Sequence, residues 1–200
     1  GKAGSGKYEF DQPCDVLVAP NGDIFVADGH HRRGQEGPNN RVVKYNSKGE
    51  YIMEFGGLGA EFGEMNEPHG LAMDSQGRLF VADRYNDRVQ IFTQEGEFIN
   101  SWRQFGRPSG VYIDKNDILY VGDSESNSGG TRNPGWDRGL RIGSAKTGWV
   151  TAFMPDPDKT TRFNVAEGVT ADDEGNVYGA EVEVGGLKKY IPRGTAPSRR

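Results

Sequence analysis

The feature that most limits what this chain can fold into is a repeated 14-residue interval. QPCDVLVAPNGDIFVAD, EPHGLAMDSQGRLFVAD, RPSGVYIDKNDILYVGD and VAEGVTADDEGNVYGAE align without a gap, running from Cys14 to Asp28, His69 to Asp83, Ser109 to Asp123 and Glu167 to Glu181. Eight residues into each interval stands Gly22, Gly77, Asp117 or Gly175. A tight hairpin needs a residue there that tolerates positive φ. Val, Ile, Phe and Tyr flank that point, so each interval reads as two short antiparallel strands. The 30 glycines among 200 residues fit the same picture of many turns between short strands, and no long helical periodicity competes with it.

A third strand follows in every repeat: RVVKY from Arg41, RVQIF from Arg88, GLRIG from Gly139 and GLKKY from Gly186. EYIMEF, EFINSW and WVTAF give the first three repeats a fourth strand. The last repeat has none before IPRGTAPSRR, and residues 192–200 are expected to form a disordered tail. Successive repeats start 55, 40 and 58 residues apart, and the compact spacing is that of a four-stranded propeller blade. The fold expected is therefore all-β, a β-propeller with four blades near residues 8–57, 64–104, 105–155 and 163–191. A propeller closes by joining its last blade to its first. Lys2 to Lys7 supplies no strand to complete the fourth blade, which leads us to expect further blades upstream or another chain to close the ring.

The extra length sits in two loops. Between the second and third strands the second and fourth repeats have four residues, whereas the first has 12 (Gly29 to Asn40) and the third 15 (Ser124 to Arg138). Strand alternation brings these loops out on the same face as Cys14, His69, Ser109 and Glu167. Long loops on one rim commonly carry function, and these hold His30, His31, Arg32, Arg33, Arg132, Trp136 and Arg138. Arg32, Trp136 and Arg138 are expected to form a ligand rim, for a peptide or small molecule at the channel mouth. His69 is either a turn histidine between Pro68 and Gly70 or a zinc ligand or acid–base group.

Other signals lead elsewhere. GKAGSGK has the glycine spacing of a phosphate loop, but Tyr8 stands where Ser or Thr is required. FGGLGAEFG is the connection between two blades, and ADDEG and DKND are hairpin turns. Cys14 is the only cysteine, so the chain forms no internal disulfide. There is no run of 18 apolar residues to cross a membrane as a helix. A net charge of −5 argues against nucleic acid as a partner.

PHGLAMDSQGRLFVADRYNDRVQIF resembles the NHL-repeat blade of the peptidyl-α-hydroxyglycine α-amidating lyases, and QPCDVLVAPNGDIFVADGH resembles its neighbour. The similarity runs over residues 8–191 and is greatest to bacterial members. The resemblance implies a six-bladed propeller of which this chain forms part. It also implies a zinc ion held by three histidines at the channel, and cleavage of a hydroxyglycine-extended peptide into a peptide amide and glyoxylate. His69 falls on one zinc-binding histidine, Glu167 occupies the place of another, and the third would lie in a further blade. Arg84 falls on an active-site arginine suited to a substrate carboxylate, and His30 on an active-site tyrosine that could accept a proton. The family's structural calcium uses an acidic residue where this chain has Gly168, so calcium is not expected. A secreted or periplasmic location rests on the resemblance alone. The alternative is an NHL propeller without chemistry that binds a protein, peptide or RNA.

Overall fold

A computed structural model describes residues 2–30, 39–127, 133–157, 166–182 and 185–192. His31, Arg32, Arg33, Arg132 and the expected tail from 193 onward lie outside the described residues.

Among the described residues, four antiparallel sheets follow one another, each in simple meander order. The first contains β1 (Pro13–Val18), β2 (Ile24–Asp28), β3 (Arg41–Tyr45) and β4 (Tyr51–Gly56). The second contains β5 (Pro68–Met73), β6 (Leu79–Asp83), β7 (Arg88–Phe92) and β8 (Phe98–Trp102). The third contains β9 (Val111–Ile113), β10 (Ile118–Asp123), β11 (Gly139–Ser144) and β12 (Val150–Pro155). β13 (Ala166–Ala171), β14 (Val177–Glu181) and β15 (Leu187–Tyr190) make a fourth sheet of three strands among the described residues. These are blades of a propeller, and the hairpin pivots have the expected left-handed backbone: Gly22 at φ 89°, Gly77 at 76°, Asp117 at 59° and Gly175 at 81°.

The inner strands β1, β5, β9 and β13 stand side by side in chain order. Most of the apolar core lies between neighbouring blades, and a smaller cluster of Val26, Val43 and Tyr45 belongs to the first blade alone. Phe25, Ala27 and Val42 of the first blade pack with Leu71, Leu79, Val81 and Phe92 of the second. Phe80, Val89 and Ile91 of the second pack with Val111, Leu119 and Val121 of the third, and Tyr120 and Leu140 pack with Ala166 and Val177 of the fourth. Inner strands approach closely where the chain leaves the mouth. A Cβ added to Gly70 would lie 2.6 Å from the Ser109 carbonyl oxygen, and one added to Gly110 would strike that of Glu167. In the first blade Asp15 takes this position, and its carboxylate accepts the Leu71 N–H at 2.8 Å.

Each blade is fastened by an acid at the end of its second strand and a base on its third. Asp28 pairs with Arg41 at 3.2 Å, Asp83 with Arg88 at 2.6 Å, Asp123 with Arg141 at 2.8 Å, and Glu181 with Lys188. In the first two blades the guanidinium also grips the loop that leads into the same blade. Arg41 donates to the carbonyls of Ser5, Gly6 and Glu9, and Arg88 to those of Ala60, Glu61 and Glu64. The glycine-rich stretches GKAGSGK and FGGLGAEFG thus wrap an arginine head, and their backbone carbonyls are the functional part.

Candidate metal centre and its charge network

The chain enters β5 through Glu67, whose backbone is left-handed at φ 60°. Such a conformation is uncommon for a non-glycine residue and persists where its surroundings hold it. Here the Glu67 N–H donates to Asn40 Oδ1 at 3.0 Å, and the side chain is 1% exposed. In the first blade Gln12 has the same conformation (φ 61°) at the same place, one residue before the proline.

Two residues further on, His69 is the second residue of the inner strand. His30, just past β2, is held by its backbone N–H to Gln12 O at 3.0 Å. The two imidazoles lie 5.4 Å apart between centroids, and His30 Nε2 is 3.3 Å from Glu67 Oε1. One ligand atom from each of His30, Glu67 and His69 falls within 4.8 Å of the others. Glu67 Oε2 is buried with no hydrogen-bond partner among the described residues. Burial is the main force pushing the Glu67 carboxyl up, opposed by Arg84, His30 and a hydrogen bond from the Tyr85 side chain. Burial, then the positive charge of Arg84, drives His69 down to about 3, so its ring is neutral and offers a lone pair. Cys14 holds the corresponding position in the first blade, and burial, aided by Glu67, has pushed its thiol up to about 12.

Arg84 follows β6 in a short 3-10 turn, Arg84–Asn86. Its side chain is 5% exposed and surrounded by carboxylates: Glu67 at 3.4 Å, Glu125 at 3.0 Å and Glu167 at 3.1 Å. Burial works against its charge, but Glu125, Glu67 and Glu167 together raise its pKa. Glu125 is shared, since its other oxygen accepts from Arg107 Nε at 2.9 Å, and Arg107 also reaches Asp87 at 3.2 Å.

The structure brings His30 and His69 together and adds Glu67, a residue that the sequence reading did not single out. Its only signal was a charged side chain in EPHG where the first blade has the uncharged QPC. Glu125, in the DSES run after β10, was missed for the same reason: nothing local distinguishes it from a solvated loop acid. Glu167 is placed across Arg84, outside the His30–Glu67–His69 group. Trp136 covers Arg141, whose guanidinium carbon is 5.0 Å from the Trp136 ring and 4.5 Å from that of Phe153. Arg138 is bonded to Asp156 at 3.0 Å. Of the three expected rim residues, the two that are described are thus engaged within the third blade. There, Trp136, Phe153 and the Asp137 carbonyl, which accepts from Arg141 at 2.6 Å, replace the entry loop that clamps the arginine elsewhere.

Comparison with known proteins agrees with this architecture. The NHL repeat profile matches residues 65–92. Over 206 residues, covering 94% of this chain and 21% of the relative, the sequence is 31% identical to peptidyl-glycine alpha-amidating monooxygenase B of Xenopus laevis. Over 98 residues (44% of this chain, 17% of the relative) it is 39% identical to peptidyl-alpha-hydroxyglycine alpha-amidating lyase 1 of Drosophila melanogaster. The chain spans about a fifth of the length of these curated relatives. Among solved structures, the Kuenenia stuttgartiensis hydrazine synthase superposes with a TM-score of 0.64 at 15% identity, over 90% of this chain and 46% of that one, a likeness of fold alone. The chain is an NHL-repeat β-propeller, similar in sequence to the peptidylglycine-amidating proteins.

Proposed function

We propose that this propeller holds a zinc ion with His30, Glu67 and His69 and serves a carbon–nitrogen lyase reaction of the amidating kind. The observation that carries this reading is the convergence of one donor atom from each of His30, Glu67 and His69 within 4.8 Å, on a carboxylate whose Oε2 is buried without a partner among the described residues. Burying such an atom costs free energy unless something completes it, and two imidazoles beside a carboxylate are a donor set that zinc takes, with bonds of about 2.0–2.2 Å. The similarity to a named amidating lyase supplies the reaction class.

A zinc ion bound there supplies Lewis acidity to a substrate hydroxyl, making its proton easier to remove. The chain's own residues do the rest. His69, buried and neutral, keeps its lone pair available. Arg84 holds Glu67 in its strained conformation and places Glu167 at the mouth. Glu167 is 29% exposed and bonded to Arg84 through one oxygen, and its other oxygen would serve as the proton acceptor. The hydroxyl proton leaves, the carbon–oxygen double bond forms, and the carbon–nitrogen bond breaks with its electron pair on nitrogen. The nitrogen is then protonated, giving an amide and an aldehyde, which is glyoxylate when the substrate is a hydroxyglycine.

The test is metal content by mass spectrometry on purified protein, together with glyoxylate release from an N-acyl-α-hydroxyglycine. Wild type is expected to carry zinc stoichiometrically, and His69→Ala and Glu67→Gln to lose it. Equal metal content in wild type and His69→Ala would sink the reading.

A further inference from the structure

His69 meets two blades besides its own. Its ring faces His30 of the first blade at 5.4 Å between centroids, and it is hydrogen-bonded to the backbone of Ser109, at the entry to the third. That backbone is firmly held. The Ser109 N–H donates to Gly122 O at 2.7 Å, the Gly122 N–H donates to Gly110 O at 2.9 Å, and the buried Ser109 hydroxyl meets that of Ser124 at 2.9 Å. With its N–H engaged by Gly122, Ser109 offers the imidazole its carbonyl. β5 comes this near because residue 70 has no side chain: a Cβ there would lie 2.6 Å from Ser109 O and 3.1 Å from Val111 N. Between β1 and β5 the equivalent place is filled by Asp15, whose carboxylate takes the Leu71 N–H.

A neutral imidazole has one N–H and one lone pair, on different nitrogens. A carbonyl only accepts, so the nitrogen facing Ser109 carries the proton and the other carries the lone pair. We propose that Gly70 is a positioning residue of the metal centre: by admitting β5 to the Ser109 carbonyl it fixes the tautomer and rotation of His69, so that the nitrogen turned away from Ser109 is the zinc ligand. This rests on the metal-centre reading above. An imidazole tied through its second nitrogen to a carbonyl is oriented before the metal arrives, and losing such a tie typically weakens metal binding by about 10–100-fold. Alanine at position 70 drives the Ser109 carbonyl away from β5, which releases the ring while His30, Glu67 and His69 all remain in the chain.

Gly70→Ala is tested beside Gly143→Ala, which brings a Cβ equally close, 2.6 Å, to the Trp149 carbonyl, at the end of β11 away from the mouth. Two quantities are measured on the full chain. One is zinc affinity, by competition with a chelator. The other is solvent exchange of the His69 ring N–H in zinc-free protein, by heteronuclear NMR, with the signal assigned by its absence in His69→Gln. Wild type and Gly143→Ala are expected to share a slowly exchanging N–H and the same zinc affinity. Gly70→Ala is expected to lose the slow exchange and to bind zinc about 10–100-fold more weakly. Unchanged affinity or unchanged exchange in folded Gly70→Ala overturns the proposal, as does equal weakening by the two alanines. Should Gly70→Ala fail to fold, wild type decides: a His69 N–H that exchanges as fast as that of an exposed histidine overturns it, and a protected one upholds it. The exchange measurement needs no metal, so the two readings separate: absence of zinc binding by wild type counts against the metal centre, while the ring N–H still judges Gly70.

Discussion

Asp117, at the tip of the first hairpin of the third blade, accepts both the backbone N–H of Ser75 at 2.8 Å and its hydroxyl at 2.7 Å, joining that tip to the corresponding turn of the second blade. Asp117 does this from a left-handed backbone, φ 59°. Two substitutions separate its contributions. Asp117→Gly removes the bridge but relaxes the turn, whereas Asp117→Ala removes the bridge and keeps the strain. Alanine is expected to be the less stable by about 1 kcal/mol, and both to fall below wild type by about 1–2 kcal/mol or more. Urea denaturation of the three proteins checks the order; an Asp117→Ala protein as stable as wild type would show that the bridge contributes nothing.

Trp136 is 36% exposed, and its described contact is the Arg141 guanidinium. Trp136→Ala is accordingly expected to lower stability by about 0.5–1 kcal/mol, the range of a partly exposed cation–π contact. Zinc content and ligand affinity should not change. A large loss of affinity with unchanged thermal stability would return Trp136 to the ligand rim.

His69 makes stability depend on pH in a definite direction. In the unfolded chain its imidazole takes up a proton near pH 6.5, while in the folded, metal-free chain burial delays this to about 3. Between those values the unfolded state binds more protons, so stability conferred by the neutral ring is complete above about pH 6.5 and is lost as pH falls toward 3. The slope from this group is at most about 1.4 kcal/mol per pH unit. Denaturation midpoints of zinc-free wild type and His69→Gln at pH 7 and 4.5 provide the check: the variant should lose less on acidification.

The blades were legible because their rules are local. A hairpin of fixed length needs its pivot at one position, so Gly22, Gly77, Asp117 and Gly175 could be read from spacing alone, and the strands after them followed from short β-branched and aromatic runs. The rim was legible as a face, because strand alternation carries His30 and His69 to the same end. Which side chains meet there was a different matter. Glu67 and Glu125 approach Arg84 from two different blades, and Glu167 from a third. No sequence window contains that encounter. Trp136 shows the converse: a large aromatic in a long loop suggests a ligand, yet the third blade uses it to cap Arg141 where a short approach, RQFGRP, leaves no entry loop to do so.

Arg41 and Arg88 hold the loops by which the chain enters their own blades, so the polar fastening of each of these units begins and ends within one stretch of sequence. Between blades, what remains is mostly apolar contact and close backbone approach, which one unit can offer to another of the same design. A gene segment encoding entry loop, strands and arginine is therefore a transferable part. Duplicating or deleting it whole would leave the arginine fastening inside each remaining blade intact, and the number of blades becomes something that descent can alter in single steps, while the Arg84 charge network, assembled from three neighbouring blades, must be inherited together.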